Sequence, residues 1–278
     1  MKGVGLRGLL RLLRLGNCAM GAFGALLASI ICAGLDGVEE NLLEVVLSMA
    51  VVVFFTAAGN AYNDYSDREI DKKAHPERPI PSGAVSPRSA AGTAVVLFIP
   101  SVVLSFLVSP WSIAIVTTSI FVMIAYETWL KAEGLAGNLA ISWLTGALFL
   151  FGGAAVGRLE LAWILAALAF LATLGREIVK DIQDIEGDRG ARTTLPMRIG
   201  VRSAGVFGSV AFVAAVALSP LPYLLDMLSA WYLLAVLAAD AIFIYAAVIH
   251  FRNPEKGQKM AKLAMLVALV AFLLGGVF

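Results

Sequence analysis

Nine stretches of roughly twenty mostly apolar residues run through this chain, each long enough to cross a hydrocarbon layer as a helix. They cover 17–35, 42–62, 88–108, 111–129, 138–156, 161–180, 203–223, 229–250 and 258–277. Only 15% of the residues are charged and 60% are hydrophobic, whereas a soluble domain carries about 25% charged residues. The expected fold class is therefore all-α: a polytopic membrane protein with nine transmembrane helices in one domain, residues 1–278. Ser86-Pro87 and Ser109-Pro110 open helices, since proline is at home at a first helical position. Asn253-Pro254 separates the last two. The leading segment, 1-MKGVGLRGLLRLLRLG-16, sets Arg7, Arg11 and Arg14 among leucines and reads as a basic amphipathic helix on the membrane surface.

The charges divide by side. With the N-terminus in the cytoplasm and alternating crossings, 20 of the 21 lysines and arginines fall on the cytoplasmic side, and Arg158 alone falls outside. This is the asymmetry the positive-inside rule describes. It puts the long polar connections 63–87 and 181–202 in the cytoplasm and the C-terminus outside. Cys18 and Cys32 lie in the first apolar run and His75 and His250 are isolated, which argues against a disulfide framework and against a His/Cys metal site.

Those two polar connections are related. Shifting 64-DYSDREIDKKAHPERPIPSG-83 by 117 residues lays it without a gap on 181-DIQDIEGDRGARTTLPMRIG-200. Asp64, Asp67, Glu69 and Asp71 then meet Asp181, Asp184, Glu186 and Asp188. Ala74, Pro79 and Gly83 meet Ala191, Pro196 and Gly200. The offset implies two parallel four-helix repeats, approximately 17–129 and 138–250, followed by a ninth helix. Acids spaced i, i+3, i+7 share one face of a helix, and Asn60 and Glu177 extend the two stripes. Both stripes sit at helix C-termini, where the helix dipole disfavours acids, so a cation between them is expected. Carboxylates without His or Cys suit a hard cation: Mg²⁺, two ions or more, with a phosphorylated ligand. Arg68, Lys72, Arg78, Lys180 and Arg192 are near enough in sequence to reach phosphate oxygens.

The stretch 63-NDYSDREID-71 resembles the NDxxDxxxD signature of the UbiA superfamily of intramembrane prenyltransferases, and 181-DIQDIEGD-188 resembles its second motif. The stretches 16-GNCAMG-21, 76-PERPIPSGAVSPRSA-90, 137-GNLAISWLTGALFLFGGAAVG-157 and 176-REIVKDIQDIEGD-188 are similar to the branch of that family that builds archaeal ether lipid. Gln183 and 189-RGARTTLP-196 depart from that branch.

The resemblance implies Mg²⁺-dependent transfer of a geranylgeranyl group from its diphosphate to the hydroxyl of geranylgeranylglyceryl phosphate. It assigns catalysis to Asp64, Asp67, Asp71, Asp181, Asp184 and Asp188. One metal falls to Asn63, Asp64, Asp67 and Asp71, with Asn60 as a further contact, and the other to Asp181, Asp184 and Asp188. It also implies Lys131 as a contact for the acceptor phosphate, with Arg14 and Asn17 as other candidates and Asn138 as a cap or ligand contact. Tyr62, Tyr65, Tyr126 and Trp143 could face an allylic cation. Donor and acceptor are both membrane lipids, no nucleic acid is expected, and the tails should lie along a lateral opening; the glycines of 146-GALFLFGGAAVG-157 could line it or serve close helix packing. Asp240, in the middle of an apolar run, is expected to point into the bundle, where it bonds to a neighbouring helix or, as the less favoured reading, makes a polar contact bordering the substrate chamber. Two other readings fit parts of the pattern: prenyl transfer to an aromatic quinone precursor or a porphyrin, and a cation-coupled transporter.

Overall fold

A computed structural model describes residues 5–188 and 192–278; Lys2, Arg189 and Ala191 lie outside them. The helices are α1 (Leu6–Leu13), α2 (Leu15–Glu40), α3 (Leu42–Ser66), α4 (Arg68–Ala74), α5 (Pro87–Val108), α6 (Pro110–Thr128), α7 (Leu135–Ala155), α8 (Leu159–Gln183), α9 (Ile185–Asp188), α10 (Leu195–Ile199), α11 (Val201–Leu218), α12 (Leu221–Leu224), α13 (Ala230–Ile249) and α14 (Pro254–Val277). Among the described residues, nine helical segments are long and apolar enough to cross a membrane, and no strand occurs.

Local chemistry sets the helix ends. Ser86, Ser109 and Asn253 each accept a hydrogen bond from the backbone N–H three residues on, at 3.1, 3.2 and 2.9 Å, with proline in the first turn. Each such cap satisfies a donor that the helix leaves unpaired. The first crossing runs past its expected end to Glu40 through a kink at Gly34, whose φ of 69° glycine adopts without a Cβ clash. At the other end α2 is cut from the amphipathic α1 by Arg14, which takes a left-handed φ of 49°. That is uncommon for a residue with a side chain.

Helix α3 packs on α2 and α5, and α8 packs on α7 and α11. Helices α2 and α7 face one another, and α14 closes the bundle against α2, α8 and α13. The bounds of α3 and α8, Leu42–Ser66 and Leu159–Gln183, are themselves 117 residues apart at both ends, and α4 and α9 begin 117 apart. The expected single-helix stripe of acids is corrected here. Each long helix stops at the middle aspartate, Asp67 (φ −85°, ψ 1°) or Asp184 (φ −93°, ψ 5°), so the third aspartate rides on a separate short helix.

In the glycine-rich segment of α7 the packing alternative is the one realised at two positions. Gly152 and Gly153 are contact points between helices: a Cβ would lie 2.4 Å from that of Ala28 on α2 at one, and 2.3 Å from that of Ala162 on α8 at the other. Small residues let membrane helices approach this closely. Gly152→Leu should therefore lower stability by about 1–3 kcal/mol, read as a fall in melting temperature in detergent. Gly92→Leu, where nothing lies within 4 Å of a new Cβ, should not; equal effects would contradict the packing described.

Candidate active site

The first motif gathers at the shared end of α1, α3, α4 and α6. Asp64 and Asp71 are buried, at 1% and 3% exposure. Buried carboxylates need charge partners, and they have them. Arg14, held at the kink between α1 and α2, forms an ion pair with Asp64 and reaches the Asn63 side-chain oxygen at 3.4 Å. Arg78 donates to Asp71 at 2.6 Å. Lys131, on the short 3-10 turn Leu130–Ala132, bonds both Asp67 and Glu127, the latter at 2.8 Å. Burial by itself would push the Lys131 ammonium down, but the hydrogen bonds it donates to Asp67 and Glu127 hold it above the ordinary lysine range.

Glu127 is a functional candidate that the sequence reading passed over. It is 5% exposed and accepts from Asn63 Nδ2 at 3.0 Å, while its carbonyl accepts from Ser66 at 2.7 Å. Its position four residues before Lys131, as the lone acid of an apolar helix, was the available signal.

The second motif gathers where α8, α9 and the start of α7 meet. Asp181 is buried and accepts from Asn138 Nδ2 at 3.0 Å. Arg192 donates to Asp188 at 2.8 Å. Gly134, with φ 61°, lets the α6–α7 connection lie against the backbone of Thr193–Leu195, and Arg198 pairs with Glu133 at 2.6 Å beside it. Tyr126 joins the two halves, since its hydroxyl lies within the electrostatic reach of Asp67 from the first motif and of Glu177 and Arg192 from the second.

Other basic and polar residues around the motifs have local partners. Arg68 turns back to the Tyr65 carbonyl at 2.7 Å and covers that ring. Lys72 pairs with the exposed Glu69 at 2.7 Å. Lys180 stands 3.8 Å from Glu177 rather than beside an aspartate. In each case a carbonyl or acid on the same helical turn is closer than the motif. Asn17 and Asn60 meet each other at 3.4 Å at the rim, where Asn60 also donates to the Leu13 carbonyl. Tyr62 and Tyr65 pack under α1, and Trp143 lines a crevice with Trp163 between α7 and α8.

Among the described residues, no three His, Cys, Asp or Glu side chains converge as a metal-holding group; the protein's own cations occupy the motif carboxylates. Yet one buried carboxylate oxygen in each motif, Asp64 Oδ2 and Asp188 Oδ2, has no hydrogen-bond partner. An unpaired buried oxygen is costly, and all-oxygen donors of this kind suit Mg²⁺. The residues present therefore fit a divalent cation in each half.

Buried carboxylates from two matched motifs, each at the C-terminal end of a long helix in a membrane bundle that holds apolar cavities, define a site for charged phosphate chemistry on lipid-soluble substrates. Residues 21–273 match the UbiA prenyltransferase family, and the chain belongs to that family; it is a multi-pass membrane protein. It is 42% identical over 273 residues to digeranylgeranylglyceryl phosphate synthase of Natronomonas pharaonis, covering 97% of this chain and 96% of the relative. It is 41% identical over 277 residues to the protein of the same name from Methanococcoides burtonii, covering 96% and 98%. A solved structure described as giving insight into digeranylgeranylglyceryl phosphate synthase in membranes superposes with a TM-score of 0.91 at 34% identity, covering 98% of both chains. A UbiA homologue from Archaeoglobus fulgidus, solved with GPP and Mg²⁺, shares the fold with a TM-score of 0.65 at 14% identity, over 96% of this chain and 98% of that one.

Glu127 positions Asn63 and Lys131 together. Glu127→Ala should cut prenyl transfer at least tenfold, while Glu127→Gln, which can still accept from Asn63, should keep more of it. Equal rates for the two variants would remove the positioning role.

Proposed function

We propose that this chain transfers a geranylgeranyl group from geranylgeranyl diphosphate to the free hydroxyl of geranylgeranylglyceryl phosphate. The allylic C–O bond of the donor breaks, an ether C–O bond forms, and diphosphate leaves with the hydroxyl proton passing to it or to a motif aspartate. The observation that carries this reading is the identity of more than 40%, along nearly the whole chain, to relatives of that name. The cation-lined, carboxylate-rich end of the bundle supplies what such a leaving group needs.

In this reading Asn63, Asp64, Asp67 and Asp71 hold one Mg²⁺, and Asp181, Asp184 and Asp188 hold another. Bound there, the ions supply charge neutralisation for the departing diphosphate. The chain's own residues do the rest. Arg14, Arg78 and Arg192, already seated on motif carboxylates, are the cations available to phosphate oxygens, and their fixed placement stabilises developing charge. Lys131 serves the acceptor phosphate, and Asn138 orients Asp181. The Tyr126 ring, between the two motifs, offers its face to the allylic cation. The two four-helix repeats place matched carboxylates on the same membrane face. By the charge asymmetry that face is cytoplasmic, with the N-terminus inside and the C-terminus outside.

The test is purified protein with Mg²⁺, geranylgeranyl diphosphate and a panel of acceptors: geranylgeranylglyceryl phosphate, an aromatic quinone precursor and a porphyrin. Mass spectrometry should find the diether phosphate alone; an aromatic or porphyrin product would replace this acceptor. Chelation should stop diphosphate release. Asp64→Ala and Asp181→Ala should each abolish turnover while still inserting and purifying, and near-normal rates at saturating Mg²⁺ would break the two-motif assignment. For orientation, a cysteine at Ser82 should resist an impermeant reagent applied to whole cells and one at Ser109 should react. The reverse pattern would invert the topology.

A further inference from the structure

An apolar cavity of about 320 Å³ lies inside the bundle between α2, α7, α8, α11, α13 and α14. Its walls include Leu168, Phe149, Phe243 and Phe272, and they are interrupted by one carboxyl group, that of Asp240. The group points into the bundle and accepts from Ser219, at the end of α11, at 2.7 Å, as the sequence led one to expect. Ser219 is held in turn, because its carbonyl accepts from the Tyr232 hydroxyl. That bond uses one carboxyl oxygen. The other, Oδ1, has no hydrogen-bond partner among the described residues, and it is not one of the fully enclosed orphan oxygens.

A single interhelical hydrogen bond in a membrane contributes little on average, and a serine or amide would supply it. A carboxyl with a bare oxygen in a greasy wall is a poor choice for packing alone. Depth suggests its use. On α8 the cavity is lined from Ala172 to Leu168, nine to thirteen residues below Asp181, or roughly 13–20 Å along the helix. An extended chain of four isoprene units reaches on the order of 20 Å at ordinary carbon–carbon bond lengths.

We propose that Asp240 is a length selector for the prenyl donor: its carboxyl, held in the cavity wall by Ser219, marks where the tail must end. This rests on the prenyl-transfer reading above. A four-unit tail fills the apolar space and leaves the free carboxyl oxygen uncovered. A fifth unit has to lie across that oxygen and bury it without a partner. An unsatisfied buried polar group is penalised heavily, so the longer donor is rejected by polarity rather than by bulk.

The experiment compares kcat/KM for three-, four- and five-unit prenyl diphosphates with the same acceptor. Wild type should prefer the four-unit donor to the five-unit donor by at least fivefold. Asp240→Leu and Asp240→Ala should each bring that ratio to within twofold of one, while Asp240→Asn, which keeps a polar group on Ser219, should preserve it. Either apolar variant suffices if the other does not fold. An unchanged ratio in a folded apolar variant overturns the proposal, as does equal use of both donors by wild type. Wild type that transfers none of the three donors would instead overturn the reaction assignment, so the two failures are distinguishable.

Discussion

Removing a carboxylate from water costs several kcal/mol unless a cation and hydrogen bonds compensate, and this chain buries Asp64, Asp71, Glu127, Glu177 and Asp181 at one end of its bundle. That cost dictates the rest of the arrangement. It explains why Arg14 is fixed in a left-handed conformation between α1 and α2, why Arg78 folds back from the loop after α4, and why Lys131 is set on a short turn where it can bond Asp67 and Glu127 together. The N-terminal helix and two connections between helices are tied to α3 by these pairs. In the same way Arg192 and Asn138 tie the α9 segment and α7 to the second motif. The protein's own arginines and lysine keep so many close charges compatible with a compact end.

The breaks at Asp67 and Asp184 matter for the same reason. A continuous helix would have aimed three acids along one side, toward the end of the helix dipole that repels them. Stopping each helix at the middle aspartate lets the third turn onto a separate short helix, where it finds its own arginine. The two motifs thereby become two small carboxylate cups, each with one bare oxygen, instead of two straight stripes.

Below this polar end the bundle is almost wholly apolar, which suits substrates whose tails come from the bilayer. Close helix contacts at Gly152 and Gly153 draw α2, α7 and α8 together, while Thr145, Leu148 and Phe149, on the same helix, border the cavity. One helix thus serves packing and substrate room at different depths.

The sequence by itself determined the number and approximate bounds of the crossings, because apolar length is a local property. It also determined the caps at Ser86, Ser109 and Asn253, the two aspartate motifs, and their 117-residue relation. Only the tertiary structure decided which cation meets which acid. Arg68 and Lys72 are adjacent to the first motif in sequence yet turn away, while Arg14 and Lys131, about fifty and sixty residues distant, are the ones that reach it. Glu127 was missed because its pairing with Lys131 four residues on reads as an ordinary helical ion pair, and nothing along the chain shows that Asn63 meets it. Asp240 was readable as an inward-facing group, but its partner Ser219 and the helices that share its cavity were not. Ion pairing and cavity lining depend on distances between helices far apart in sequence, and those distances are set by packing that no local pattern records.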